Sequence, residues 1–354
     1  GYKGIAEVTT GAGKTLMAVQ GSLRLDEEKK GNLSIYVVVP KVALKKQWRD
    51  VLSRNGAKDI EIWSNVKSKK GKYTIMTINT ARDMLPLLVE KDFKANKAVL
   101  LILDEVHHYG SPANSHVFDF LHSNHFKDSL YYSLGLSATT KVRTLHSVLI
   151  PKVGDVFFRY TLSDALSDGI VNDFVVFNVA VHFNDEERGL YDVISKDILF
   201  SFGRIFEAYP ILKKINASIF DITDFLYKQG EKEMAWNLEV LIRERRDIII
   251  RADTRIKAAL GIIKYTEGKT IVFTERIDQV DALFAKLKKD GIKAVMYHGD
   301  METKMKEENL KAFKEGTSRI LLCCKALDEG LDVPDADIAI VLSTTATELQ
   351  RIQR

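Results

Sequence analysis

"TTGAGKT" at residues 9–15 is the stretch on which the reading of this chain turns. Gly11 and Gly13 free the backbone to curl so that successive N–H groups point inward, with the following helix presenting its positive end. In that arrangement Thr10, Gly11, Ala12 and Gly13 wrap a phosphate. Lys14 reaches the β- and γ-phosphates, and the Thr15 hydroxyl ligates Mg²⁺. The fuller pattern G-x-x-x-x-G-K-[ST] asks for glycine at position 8, where Val8 stands. That position precedes the phosphate-wrapping turn, so the cradle does not need it. The bland alternative is a glycine-rich strand-to-helix turn with no ligand. The loop alone does not choose.

"LLILDEVHH" at residues 100–108 does. A P-loop ATPase needs one carboxylate at the tip of another strand to hold Mg²⁺ and a second to polarise the attacking water. Asp104 and Glu105 end a buried apolar run, where open α/β sheets bind ligands. An Asp-Glu pair that merely caps a strand is common. One that ends a buried strand roughly ninety residues after a lysine loop is not.

Around these two motifs the chain has a regular grammar. "LSIYVVV" at 33–39, "AVLLILD" at 98–104 and "YYSLGLSA" at 131–138 are continuously apolar. Leu44, Trp48, Val51 and Leu52 share one helical face between them. Such strands, separated by amphipathic helices, indicate a parallel sheet covered on both faces. The last hundred residues repeat the pattern. "KTIVFT" precedes a helix carrying Ile277, Val280, Phe284 and Leu287, followed by "KAVMYHG", "SRILLCC" and "ADIAIVL". Residues 186–246 carry no strand pattern and predict two or three helices, with Phe202, Ile205, Phe206, Tyr209, Leu212 and Ile215 at helical spacing.

Length and composition agree. A chain of 354 residues exceeds one ordinary core. No apolar run is long enough to cross a bilayer, so no membrane partner is expected. The two cysteines, Cys323 and Cys324, are neighbours that a strand would point to opposite faces. A structural disulfide is therefore not expected, and a reducing, cytoplasmic setting fits. The formal charge of +4 is compatible with a polyanion and proves nothing.

In order, "TTGAGKT", "DEVHH", "LSATT" and "ALDEGLDVPDADIAI" resemble motifs I, II, III and V of the superfamily 2 helicases and translocases, in the DExH form. "VVVPKVALKKQW" is similar to motif Ia, "TIMTINTAR" to the Ib/Ic region and "TIVFTERID" to motif IV. The stretch "YTLSDALSDGIVNDFVVFNVAVHFNDEERGLYD", followed by a helical insert, resembles the XPB-like DNA repair helicases and restriction-type helicase subunits. The resemblance implies an α/β fold of two RecA-like parallel-sheet lobes with an all-helical insert between them. Residues 1–172 would form lobe 1, 173–247 a connector strand and a thumb-like helical insert, and 248–354 lobe 2, with both lobes truncated at their outer ends.

It also implies roles. Lys14, Thr15 and Asp104 would serve ATP and Mg²⁺, and Glu105 would position or deprotonate water. His107 would couple the nucleotide site to Ser137, Ala138 and Thr139. Gly330 and Asp332 would approach the nucleotide from lobe 2, supported by Glu329. Motif VI should read like Q-R-x-G-R-x-x-R. Here "LQRIQR" offers only Gln353 and Arg354 as its start, with Gln350 and Arg351 one turn earlier, and no adenine-reading glutamine motif precedes the loop. Because an arginine finger is worth ~10³–10⁵ in rate, this stretch alone is expected to hydrolyse ATP slowly.

The implied activity is ATP-driven stepping along the phosphate backbone of a nucleic acid, DNA in preference to RNA, in repair or restriction-like defence. A nuclease or specificity subunit is a possible partner. Candidate phosphate contacts are Lys41, Thr77, Thr80, Thr274 and Arg276, of which the basic Lys41 and Arg276 also read as a solvated face. "VKSKKGK" at 66–72 reads as a solvated turn. The insert aromatics, Trp236 included, read as core before base-stacking platform, and Arg243, Arg245 and Arg246 as solvent-facing or phosphate-gripping. Histidines 107, 108, 116, 122 and 125 lack the spacing of a zinc site. Two other readings stay open: a nucleic-acid clamp or remodelling subunit with weak ATPase, and a P-loop switch or kinase without nucleic acid. "DEGLDVPDAD" argues against the latter.

Overall fold

The computed structural model describes residues 2–65, 68–324 and 336–342. These divide into two compact units, residues 2–176 and the described residues from 177 onward.

The first unit is a seven-stranded, wholly parallel sheet. In chain order its elements are β1 (Lys3–Val8), α1 (Lys14–Glu28), β2 (Leu33–Val39), α2 (Val42–Arg54), β3 (Ile60–Ile62), β4 (Tyr73–Thr77), α3 (Ile78–Lys94) and β5 (Ala98–Leu103). There follow 3₁₀ turns, β6 (Tyr131–Ser137), α4 (Ile150–Val153), β7 (Val156–Tyr160) and α5 (Leu162–Ser167). The strand order is β3-β4-β2-β5-β6-β1-β7. Alternation along each strand feeds two cores. Tyr36, Val38, Val99, Leu101 and Leu103 face α3, while Ile35, Val37, Val39, Leu100 and Ile102 face α1 and α2. A strand buried on both faces must be apolar at every position, which is why these runs were continuous in sequence. Val8, where the loop pattern asks for glycine, is the last residue of β1 and is buried against α1.

The second unit opens with helices α6 (Asp185–Ala208), α7 (Pro210–Lys214), α8 (Ile219–Gln229) and α9 (Lys232–Arg251). Capping boxes at Asn184/Glu187 and Ser218/Asp221 start α6 and α8. Pro210 separates α6 from α7, which a continuous apolar spacing had concealed. Then come α10 (Asp253–Tyr265), β8 (Thr270–Thr274), α11 (Ile277–Lys289), β9 (Ala294–Tyr297), α12 (Thr303–Lys314), β10 (Ile320–Cys324) and β11 (Ile338–Val341). The four strands form a parallel sheet of order β11-β8-β10-β9. Cys323 and Cys324 are buried on β10, where the Cys323 thiol donates to the Val272 carbonyl at 3.2 Å.

Two expectations are corrected here. Residues 173–184 form no strand: Phe174, Val175, Val176 and Phe177 are exposed, and a strand exists only where a partner accepts its ladder. Trp236 is 57% exposed rather than part of the insert core, with the Arg243 guanidinium over its ring.

Gly135 on β6 shows how tightly the sheet supports the turn that follows β5. A Cβ there would lie 2.9 Å from Val106 Cγ2 and 3.1 Å from Ile5 Cγ1. Gly21, inside α1, meets nothing within 4 Å. We expect Gly135→Ala to lose ~1–3 kcal/mol in urea unfolding and Gly21→Ala to gain ~0.5–1 kcal/mol. Equal effects at the two sites would contradict the packing described.

Candidate active site

A parallel sheet places all strand carboxyl ends on one edge. On that edge of the first unit β1 delivers the loop at residues 9–13, β5 delivers Asp104 and Glu105, and β6, between them, delivers Ser137. The loop is pinned at its base by the Thr9 N–H donating to the Tyr160 carbonyl at 2.9 Å. Gly11 and Gly13 have φ of 81° and 86°, the left-handed region that favours glycine. The space beside each is open, with nothing within 4 Å of where a Cβ would stand. Gly13 caps α1, whose first-turn N–H groups have no acceptor within the helix. Thr15 sits half-buried in that first turn, and Thr10 is exposed.

Lys14 Nζ lies 3.1 Å from Glu105 Oε1, with each side chain 12% exposed. Glu105 itself has φ 49° and ψ 59°. A glutamate in that region carries strain on the order of 1–3 kcal/mol, held in place by its surroundings. Its Oε2 is buried without a hydrogen-bond partner among the described residues, and His107 Nδ1 stands 3.5 Å away. His107 Nδ1 is 3.0 Å from Ser137 Oγ. Since the Ser137 hydroxyl donates to the Thr139 carbonyl at 2.6 Å, it accepts from His107, which fixes the proton on Nδ1. Ala138 lies buried between Ser137 and Thr139. Of the predicted coupling residues, His107, Ser137, Ala138 and Thr139 thus lie together, while Glu329 and Gln353 lie outside the described residues.

Asp104 is 7% exposed. Its backbone N–H donates to the Val38 carbonyl at 2.9 Å, Oδ1 accepts the Glu105 N–H at 3.1 Å, and Oδ2 accepts the Trp48 indole N–H at 2.8 Å. Burial pushes its carboxyl up to about 6, the neighbouring Glu105 adding to the shift and Trp48 and Lys14 opposing it.

The sequence reading missed several groups. Trp48 was visible only as a core position of α2. The Tyr109 hydroxyl donates to Val38 O at 2.8 Å, the carbonyl that also receives Asp104 N. Glu7 Oε2 accepts from the Thr140 hydroxyl at 2.7 Å and Arg159 Nε at 3.2 Å, tying the chain after β6 to β1 and β7. No local motif announces such pairings.

Among the candidate phosphate contacts, Lys41 and Thr77 are the residues just before α2 and α3, at the same sheet edge as the loop. The Thr77 and Thr80 hydroxyls are 3.1 Å apart. In the second unit Thr274 is corrected: it is fully buried, and its hydroxyl donates to the Arg276 carbonyl at 3.0 Å. Arg276 pairs with Asp247 of α9, and Arg246 with the buried Glu275 at 2.9 Å. The basic stretch at 68–72 is likewise engaged, Lys70 with Asp92 and Lys72 with Asp26 at 2.6 Å. Glu329, Gly330, Asp332, Gln350, Arg351, Gln353 and Arg354 lie outside the described residues.

The site fits a magnesium nucleotide: an open glycine cradle, a lysine on a carboxylate that a phosphate can replace, and a buried Glu105 oxygen awaiting a donor. Asp104 sets a pH test of the metal-free chain. With the folded carboxyl near 6 and the unfolded one near 3.8, the unfolded state ionises first. Asp104 then costs the fold nothing below about pH 4 and progressively more as pH rises to 6. Asp104→Asn is expected to be more stable than the parent chain at pH 8, the gap closing by pH 4. A gap constant across that range would contradict the burial argument.

Comparison with known proteins extends this. Residues 2–142 match the type III restriction enzyme res subunit model, and residues 254–354 the helicase conserved C-terminal domain model. The DNA 3'-5' translocase XPB2 of Sulfurisphaera tokodaii is 28% identical over 99% of this chain and 73% of its own length. The putative DNA 3'-5' helicase Rad25 of Haloarcula marismortui is 23% identical over 94% of this chain and 44% of its own. Among solved structures, the Pyrococcus furiosus Hef helicase domain has a TM-score of 0.59 at 16% identity, covering 99% of this chain and 88% of that one. Saccharomyces cerevisiae Dbp5 bound to RNA and ADP BeF3 has 0.58 at 15%, covering 100% and 75%. The chain thus shares the RecA-like fold of these two solved structures. With the res subunit and helicase C-terminal models matched in order, and XPB relatives aligned along nearly its whole length, the chain is a superfamily 2 helicase, XPB-like in its relatives, and an ATP hydrolase of the helicase type.

Proposed function

We propose that the chain is the motor of a DNA translocase or helicase, with residues 1–172 and 248–354 as its lobes and 173–247 as a helical insert. The observation that carries the reading is the Lys14–Glu105 pair at 3.1 Å beside Asp104 and the His107–Ser137 contact. In this reading Lys14, Thr15 and the loop amides bind the triphosphate, and Thr15 and Asp104 hold Mg²⁺, which supplies charge neutralisation on the phosphates. Glu105 accepts the proton of the attacking water once Lys14 has turned to phosphate. His107 passes the change at Glu105 to Ser137 and the chain beyond β6.

DNA is the proposed track because the relatives aligned over most of the chain are named for action on DNA. Lys41, Thr77 and Thr80 share the sheet edge of the nucleotide site and would grip phosphates by charge and hydroxyl. Arg276 would join them only on leaving Asp247.

Phosphate release from ATP should rise with DNA and fall ~10²-fold or more in Lys14→Ala and Glu105→Gln. A rate unchanged by either substitution sinks the catalytic assignment, and stimulation by RNA but not DNA overturns the choice of track. Lys41→Ala should weaken DNA binding and flatten its salt dependence by about one unit of slope. An unchanged slope removes Lys41 from the contact set.

A further inference from the structure

Asp104 is held by a residue that neither motif I nor motif II contains. We infer that Trp48 is a positioning residue for the metal-binding carboxylate: its indole N–H, donated to Oδ2 at 2.8 Å, sets the plane in which Asp104 meets a cation. The inference rests on reading Asp104 as that carboxylate.

The geometry leaves the side chain little freedom. Trp48 is fully buried on the face of α2 that also carries Leu44 and Leu52, packed with Val37, Val39 and Ile102 in one core. An indole has one donor and no acceptor, and a buried indole N–H without a partner is costly, so its direction is fixed by the ring's packing. Among the described residues it is the side-chain donor to Asp104, the other donor being the Glu105 backbone N–H on Oδ1. A carboxylate has about four lone-pair sites. One donor on each oxygen, both fixed by rigid neighbours, orients the plane while leaving a lone pair on each oxygen for a hydrated cation. Groups that orient a metal ligand in this way typically govern ~10–100-fold in metal affinity. A tryptophan serving only as core would satisfy its N–H on any nearby carbonyl. This one reaches across 56 positions of sequence to the acidic pair.

The test separates positioning from packing. Binding of the non-hydrolysable analogue AMPPNP is measured against Mg²⁺ concentration for the parent chain, Trp48→Phe and Asp104→Asn, with thermal unfolding of each. Trp48→Phe should raise the half-saturating Mg²⁺ ~10-fold or more, while AMPPNP affinity in EDTA stays as in the parent. A lowered melting temperature with unchanged Mg²⁺ dependence would overturn the inference and leave Trp48 as core. If Asp104→Asn itself keeps the parent Mg²⁺ dependence, the reading of Asp104 falls first. Should Trp48→Phe fail to fold, the parent chain still decides. The chain has three tryptophans, and ¹⁵N-indole spectra should show the Trp48 N–H signal shifting when Mg²⁺ joins AMPPNP and not when Mg²⁺ is added to Asp104→Asn. A Trp48 signal indifferent to Mg²⁺ in the parent overturns the inference.

Discussion

A lysine and a glutamate 91 positions apart face each other at 3.1 Å because a parallel sheet gathers its strand ends on one edge. The loop after β1 and the turn after β5 have no affinity for each other in sequence. They meet because β6 lies between their strands and because Gly135, lacking a Cβ, lets Val106 and Ile5 close over it. Every function assigned to the site depends on that meeting. Without it Lys14 is a helix-end lysine and Glu105 a strained turn residue.

The site is also built against the stability of the chain that carries it. Asp104 is buried with its carboxyl raised to about 6, and Glu105 occupies a left-handed backbone position. Neither is what folding alone would choose. A magnesium nucleotide would relieve the first of these costs by setting a cation beside Asp104, while its phosphate draws Lys14 from Glu105. Trp48, Val38 and Tyr109 supply the fixed frame: one indole N–H, one carbonyl accepting two donors, one phenol. In the second unit the helical insert is joined to its sheet by crossed pairs, Arg246 with Glu275 and Asp247 with Arg276, so α9 and the chain after β8 are held as one piece.

Much of the fold was legible in the sequence, and the reason is physical. Strands buried on both faces are apolar at every residue, so β2, β5 and β6 stood out, and the loop and the Asp-Glu pair followed from their positions at strand ends. What escaped were pairings set by tertiary approach. Trp48 looked like any apolar position of α2, although its ring nitrogen was the informative atom. Thr274, read as a phosphate contact, is fully buried, because the last residue of a strand can face the core as easily as the ligand. The connector strand that the resemblance implied within 173–247 is absent at 173–184, since pairing depends on a partner that one segment's residues do not reveal. Lys70 and Lys72 looked solvated until Asp92 and Asp26 were found beside them.

The most direct measurement is the structure of this chain with Mg²⁺ and a non-hydrolysable ATP analogue bound. The account predicts Lys14 Nζ withdrawn from Glu105 onto a phosphate oxygen, with the triphosphate in the curl at residues 9–13 and the cation beside Asp104. A nucleotide bound elsewhere while the Lys14–Glu105 pair stays closed would contradict it.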